Sequence, residues 1–369
     1  MNPSKTVSAE IPEAMGGRRL DQALAALFPD FSRTRLQRWI RNGKILVDGR
    51  TMRPKDLIAG GERITMDADA EPVTRCEAQD IPLEIHYEDD SLLIINKPAG
   101  LVIHPAAGNR DGTLQNALLH YDPDLVRLPR AGIVHRLDKE TSGLLMVART
   151  LPAHKSLVEQ LQARTVDREY VAVVQGTMTS GGTVDAPIGR HPVDRKRFAV
   201  RQPWRAPYGR PSGGQIRSSR ICAVRNKPDR NQSPGQTGHA EAMGSTAAVH
   251  RTAKPAVTHY RVLERLPHHT VLRVTLETGR THQIRVHMAY IGYPLVGDPV
   301  YGGRMRIPPG HDETLAAALR GFRRQALHAA KLGLRHPETG ELCQWHVEPP
   351  AGMQDLLAVL RRSAAENRA

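Results

Sequence analysis

Leu20, Leu24, Leu27 and Phe28 recur at helical spacing near the start of the chain, and Leu36 and Ile40 repeat the four-residue interval a little further on. Two short amphipathic helices are predicted, the second begun by Ser32, whose hydroxyl suits the unpaired amides of a first turn. Arg35, Arg38 and Arg41 recur every three residues along that second helix and lay a basic stripe beside the apolar one, with Arg33 and Lys44 at either end. Asn42-Gly43 and Asp48-Gly49 read as turns around a strand over 44–47. A linker rich in Asp, Glu and Ala follows at 68–80. From Ile81 the pattern shortens to β-like runs at 92–95, 132–134, 144–148, 170–175, 258–263, 270–276 and 282–288, with helical spacing at 154–163 and 315–327. Runs of strands with scattered helices predict an α+β domain over 81–357, built on a mixed, mainly antiparallel sheet.

Residues 201–249 break this rhythm. They hold eight Lys and Arg against Asp229 and Glu241, crowded with Gly, Pro, Ser, Asn and Gln, and their larger apolar residues follow neither period. Such a composition cannot bury enough apolar surface to offset its ordering, so the segment is read as a disordered basic insert within the second domain.

Composition narrows the partner. Lys and Arg outnumber Asp and Glu 52 to 38, a net charge of +14, which points to a polyanion such as nucleic acid. Phe, Trp and Tyr make up only 4% of the chain, too few for a broad base-stacking sheet. The three cysteines are far apart and have no metal-ligand spacing, as in a reduced, cytoplasmic protein. No window approaches 18 consecutive apolar residues and the N-terminus lacks a secretory pattern, so neither membrane insertion nor export is expected.

Candidate chemistry lies in three segments. Residues 132–145, GIVHRLDKETSGLL, set a charged cluster between two apolar runs, and burying Asp138 there would cost several kcal/mol without a cation. Residues 277–288, ETGRTHQIRVHM, offer that cation. Read as a strand, they place Thr281, Gln283, Arg285 and His287 on one face and His282, Ile284, Val286 and Met288 on the other. Arg168 and Tyr170 open a third run and supply an aromatic ring with a polar tip. Each residue alone has an ordinary reading. HRLD also occurs in the kinase catalytic loop, but no Gly-rich phosphate loop or DFG accompanies it. The histidines lack metal-ligand spacing, Tyr170 could be a core tyrosine, and Arg280 and Arg285 could be surface or phosphate contacts.

Together the segments resemble the RluA-type family of RNA pseudouridine synthases over about residues 81–357 apart from the insert. Residues 96–105 (NKPAGLVIHP), 294–303 (PLVGDPVYGG) and 325–328 (QALH) are similar to further family segments in the family's order. Residues 17–67 resemble the S4 RNA-binding domain, through Arg19-Leu20-Asp21, Ser32-Arg33, Ile40 with Gly43, and the strand that follows. The resemblance implies isomerisation of uridine to pseudouridine without any cofactor. Residues 181–195, GGTVDAPIGRHPVDR, point to members acting on large-subunit ribosomal RNA at the stem-loop called helix 69, with the ribosomal subunit precursor as partner. It implies catalytic roles for Asp138, Tyr170 and Arg285, and places Arg136, His135 and Arg280 at the bound nucleotide. Arg33, Arg35, Arg38, Arg41 and Lys44 would contact RNA from the S4 domain. Another rRNA or tRNA site, or a non-catalytic ribosome-binding role, remains open at this point. The family normally passes from the strand before residue 201 straight into a turn, a pattern from which residues 201–249 depart.

Overall fold

The structure, a computed structural model, describes residues 5–28, 31, 33–68, 76–106, 108–194, 196–201, 253–303, 307 and 313–366. The chain divides into two units, residues 1–75 and 76–369.

In the first unit β1 (Lys5–Glu10) precedes α1 (Leu20–Leu27), α2 (Arg33–Arg41), β2 (Ile45–Val47) and β3 (Arg63–Ala68). The strands form one antiparallel sheet in the order β1-β3-β2. Leu20 and Leu24 of α1 pack with Leu36, Trp39 and Ile40 of α2 and with Ile45, Ile64 and Met66 of the sheet, so the stripes read from sequence do meet. β1 was not anticipated: it pairs along the whole of β3 from outside the segment 17–67. Its six polar and small residues, KTVSAE, carry little alternation for a sequence reading to detect. Ser32, the expected cap of α2, lies outside the described residues.

In the second unit β4 (Ile85–Glu88) and β5 (Leu92–Lys97) lead to α3 (Leu114–Tyr121), β6 (Ser142–Ala148), α4 (Leu151–Ala163) and β7 (Asp167–Gln175). β8 (Gly182–Asp185), β9 (Ile188–Arg190), β10 (Phe198–Val200), β11 (Val257–Arg265), β12 (His269–Leu276) and α5 (Gln283–Tyr290) follow. The described chain ends with α6 (Glu313–Gly321), β13 (Leu327–Arg335), β14 (Leu342–His346) and α7 (Ala351–Glu366). The main sheet runs β4-β5-β6-β13-β7-β12-β11-β8, with β14 beside β13; only β13 with β6 is parallel. β9 and β10 form a separate hairpin.

Helices cover both faces, which is why central strands read as unbroken apolar runs. On β5, Leu93 and Ile95 face the cluster containing α3 and α5, while Leu92 and Ile94 face the one containing α4. On β7, Tyr170, Ala172 and Val174 share the first of these faces, and Val173 packs with α6 and α7 on the other.

Three sequence expectations fail. The expected strand over 282–288 is helix from Gln283 on: Gln283 to Met288 are all buried, and an element enclosed on every side shows no periodicity that separates the two. Residues 132–134 form a turn with a single bridge from Ile133 to Val147. The helix expected over 315–327 stops at Gly321, and Leu327 opens a strand. The insert, apart from Arg201, lies outside the described residues. No helix among the described residues is long and apolar enough to cross a membrane.

Candidate active site

The loop that carries Asp138 is fastened on both sides of the carboxylate. Ahead of it, Arg130 and Ala131 take left-handed φ values of 56° and 52°, followed by Gly132 at 78°. Each non-glycine there costs roughly 1–2 kcal/mol, and a Cβ on Gly132 would strike the Ala148 carbonyl. The turn brings His135 against β6, where its Nε2 accepts the Met146 amide at 3.1 Å. Burial, helped by the charge of Arg168, lowers the His135 pKa to about 3, so the ring stays neutral and can accept. Behind Asp138, the Lys139 carbonyl accepts from the Gly100 amide at 2.9 Å and from Lys97 Nζ at 3.0 Å. Lys97 is fully buried, and its ammonium also donates to the Pro98 and Leu101 carbonyls. Burial takes its pKa down to about 8, against the opposing pull of Glu140 and Asp138.

Asp138 is thereby presented to α5. Arg285 Nη1 donates to Asp138 Oδ2 at 3.0 Å, while Arg285 Nε and Nη2 bind Asp298 Oδ2 and Oδ1 at 2.7 and 2.9 Å. The Asp298 side chain is 0% exposed and that of Arg285 5%, whereas that of Asp138 is 16% exposed and still reachable. Burial would lower the Arg285 pKa, but Asp298 and then Asp138 more than reverse this and hold it above its ordinary value. Burial would raise the Asp298 carboxyl; Arg285 and the Tyr301 and Val300 amides bring it below the usual carboxylate range. One guanidinium thus joins a wholly buried carboxylate to a partly open one.

Asp138 and Arg285 line a cavity of about 940 Å³ that also takes in Tyr170, Arg136 and Arg280. Tyr170 is 6% exposed on β7, and burial raises its phenol pKa. Arg136 is exposed, and the half-buried Arg280 donates through Nε to the Pro255 carbonyl at 3.1 Å. Arg130, Arg164 and Arg168 also line the cavity, against which its only carboxylates among the described residues are Asp138 and Glu277. A basic cleft with an aromatic wall, and with one of its two carboxylates held by a buried guanidinium, suits a single nucleotide drawn from a polyanion.

A family model described as RNA pseudouridylate synthase matches residues 91–290, and the S4 domain model matches 18–64. The chain belongs to the RNA pseudouridylate synthase family. The synthase is 50% identical over 355 residues to the ribosomal large subunit pseudouridine synthase D of Pseudomonas aeruginosa, covering 96% of both chains. It is 48% identical over 363 residues to the protein of that name from Escherichia coli K12, covering 98% of this chain and 96% of that one. Among solved structures, human RNA pseudouridylate synthase domain containing 4 shares the fold, with a TM-score of 0.50 at 24% identity over 75% of this chain and 93% of that one.

The fold brings Asp138, Tyr170, Arg285, Arg136, His135 and Arg280 of the synthase around one cavity. His135, expected at the nucleotide, has one ring nitrogen committed to the β6 backbone. In the S4 unit, Arg33 is held by Asp21 at 2.8 Å, and Arg35 stacks over Trp39 at 4.6 Å. Arg38 and Arg41 are exposed, and Lys44 is half-buried. Burial would raise the Asp21 carboxyl, but hydrogen bonds from Arg33, Gln37 and Arg19 outweigh it and lower its pKa. Sequence reasoning missed Asp298, Tyr301, Lys97 and the part played by His282. A signal existed for Asp298: a guanidinium has five donors, and Asp138 satisfies only part of that set.

Proposed function

We propose that this synthase isomerises uridines in large-subunit ribosomal RNA, at the stem-loop helix 69, on the ribosomal subunit precursor and in support of its assembly. The observation that carries the chemistry is Asp138: a reachable carboxylate, 3.0 Å from a buried guanidinium, opening into a cavity walled by Tyr170 and arginines. The likeness to the two synthases D supports the choice of RNA.

A uridine in a stem must leave its stack before its glycosidic carbon can be approached, at a cost of a few kcal/mol. Arg136, exposed at the cavity, is placed to offset that cost by filling the vacated space. The reaction breaks the bond from the ribose carbon to N1, forms one to C5, and moves a proton from C5 to N1. Asp138 acts at the ribose, as nucleophile or as base, with Arg285 fixing one of its oxygens. Tyr170 holds the detached uracil against its ring while it turns. His135 sustains the loop, and Arg280 meets the backbone of the bound strand. The S4 unit adds phosphate contacts through Arg33, Arg35, Arg38, Arg41 and Lys44, which position without reading sequence.

Pseudouridine mapping of total RNA from cells with and without the protein tests this. Loss of modification confined to helix 69 is expected, together with its restoration by the wild-type chain and not by Asp138→Asn. Unchanged large-subunit rRNA with losses elsewhere would overturn the target, and restoration by Asp138→Asn would overturn the role of Asp138.

A further inference from the structure

His282 opens α5 in a left-handed conformation, φ 58° and ψ 20°, which a non-glycine residue holds only when its surroundings impose it. The surroundings are two aromatic rings. Phe198 of β10 and Tyr301 each meet the imidazole edge-on with centroids 5.6 Å away. The Tyr301 hydroxyl lies 2.9 Å from His282 Nδ1 and accepts the Phe198 amide at 2.9 Å. A phenol has a single proton to donate, and the Phe198 amide already uses a lone pair of its oxygen. Donation to Nδ1 satisfies both groups, whereas a proton on Nδ1 would leave the buried phenol proton without this acceptor. That arrangement calls for the ring proton on Nε2.

That Nε2 is 3.9 Å from Asp138 Oδ1, too far for a direct hydrogen bond, while Asp138 Oδ2 is held by Arg285. The cavity is thus lined by a donor and an acceptor separated by a gap that an atom about 3 Å from each would close. A carbonyl oxygen could satisfy the donor but not the carboxylate, and an amide proton the reverse. A hydroxyl satisfies both, accepting from Nε2–H and donating to Oδ1, and within a polynucleotide the free hydroxyl is the ribose 2′-OH. Resting on the reading of Asp138 as the acting carboxylate on RNA uridine, we infer that His282 Nε2 and Asp138 Oδ1 together grip the 2′-hydroxyl of the reacting nucleotide. His282 is then the residue that requires ribose at the reacting position, and Tyr301 sets its tautomer. The charged groups around the ring agree with a neutral donor. Burial lowers the His282 pKa; Asp138 and Asp298 pull it up, and Arg285 and Arg136 push it down, for a net lowering.

The test pairs a change in the RNA with a change in the full-length protein. Single-turnover rates are measured on an RNA stem-loop carrying either uridine or 2′-deoxyuridine at the target, with wild type, His282→Asn and Tyr301→Phe. Asparagine tolerates the left-handed backbone and keeps a side-chain partner for Tyr301, but lacks the far donor. Loss of the 2′-OH should slow wild type about 100-fold, the order of a missing oriented hydrogen bond at a reacting centre. His282→Asn should be slowed on the ribose substrate by up to that factor and, on the deoxy substrate, should run within about threefold of wild type, since without the hydroxyl the imidazole has nothing to hold. Tyr301→Phe should show the same non-additivity more weakly. Equal wild-type rates on the two substrates, or losses that simply multiply, would overturn the inference. Should the variants fail to fold, imidazole ¹⁵N shifts of the wild type decide, a proton on Nδ1 overturning it. Failure of wild type to convert the ribose substrate, or full activity of Asp138→Asn, marks instead the failure of the functional reading beneath it.

Discussion

Arg285 carries one positive charge between two carboxylates, and the two ends of that arrangement serve different purposes. Asp298 is sealed from water and bidentate, so its loss leaves buried guanidinium donors and the Val300 and Tyr301 amides without acceptors. Asp298→Ala should therefore cost about 3–5 kcal/mol in denaturant unfolding, the range for breaking a buried pair. Asp138→Asn keeps size and leaves Arg285 its stronger partner; stability should change by less than about 1 kcal/mol while pseudouridine formation disappears and RNA affinity holds. Equal destabilisation by the two substitutions would refute this division of labour. Lys97 makes a pH prediction. Its folded pKa of about 8 lies below the ordinary 10.5, so between those values the unfolded chain holds more of the proton and stability rises with pH. The wild type should gain about 3 kcal/mol across that window from this group, a rise that Lys97→Met should lack in parallel unfolding titrations. Below pH 8 the variant should still be the less stable, since three carbonyls lose their donor.

At the scale of elements, the parallel pairing of β6 with β13 ties the catalytic loop to the middle of the sheet. Gly143 sits at that pairing with φ 112°, and a Cβ there would strike the Ala329 backbone on β13. Both the strain and the collision involve rigid backbone, so Gly143→Ala should lower the melting temperature sharply or prevent soluble expression. A melting temperature within a few degrees of wild type would mean that the strands can part without penalty. The Asp138 loop runs directly into this strand, so a milder substitution that spared folding would still be expected to slow turnover.

For the whole molecule, the division of the chain suggests where it can be cut. Gln79 and Glu77 hydrogen-bond to Asn116, and Gln79 also to Gly112, so the end of the expected linker belongs to the second unit. Removing residues 1–75 should leave the second unit folded around its own clusters, weaken RNA binding, and flatten its salt dependence by about 0.7–0.9 in slope for each phosphate no longer neutralised. An unchanged slope by filter binding would show that the S4 unit has another task. The basic insert gives a second deletion. Its flanks are close: Val200 pairs with Ile188, and Lys254 bridges the same residue. Two strand spacings separate them, about 10 Å, which the five-bond path left by joining Val200 to His250 spans, at up to about 17 Å. The shortened chain should fold and modify the same uridines, with weaker binding at low salt; an inactive but folded deletion would make the insert a functional part.

Much of this protein was legible in its sequence because local patterns carry their own physics. An unbroken apolar run marked β7, spacing on α1 and α2 exposed their buried faces, and an aspartate between apolar runs demanded a cation that Arg285 supplies. Charge balance indicated a polyanion. The S4 and synthase segments could be recognised because their motifs are contiguous. Only the tertiary structure decided that 283–290 is a helix, since burial on every side erases the period that separates helix from strand. That decision matters for the site. As a strand, the segment would have turned His282 away from Arg285; as a helix entered through a left-handed residue, it brings both to Asp138. Asp298 and Tyr301 join them from the loop that follows α5. Which carboxylate is sealed, which is open, and which imidazole nitrogen faces the cavity follow from distances between remote segments, and no spacing along the chain encodes those.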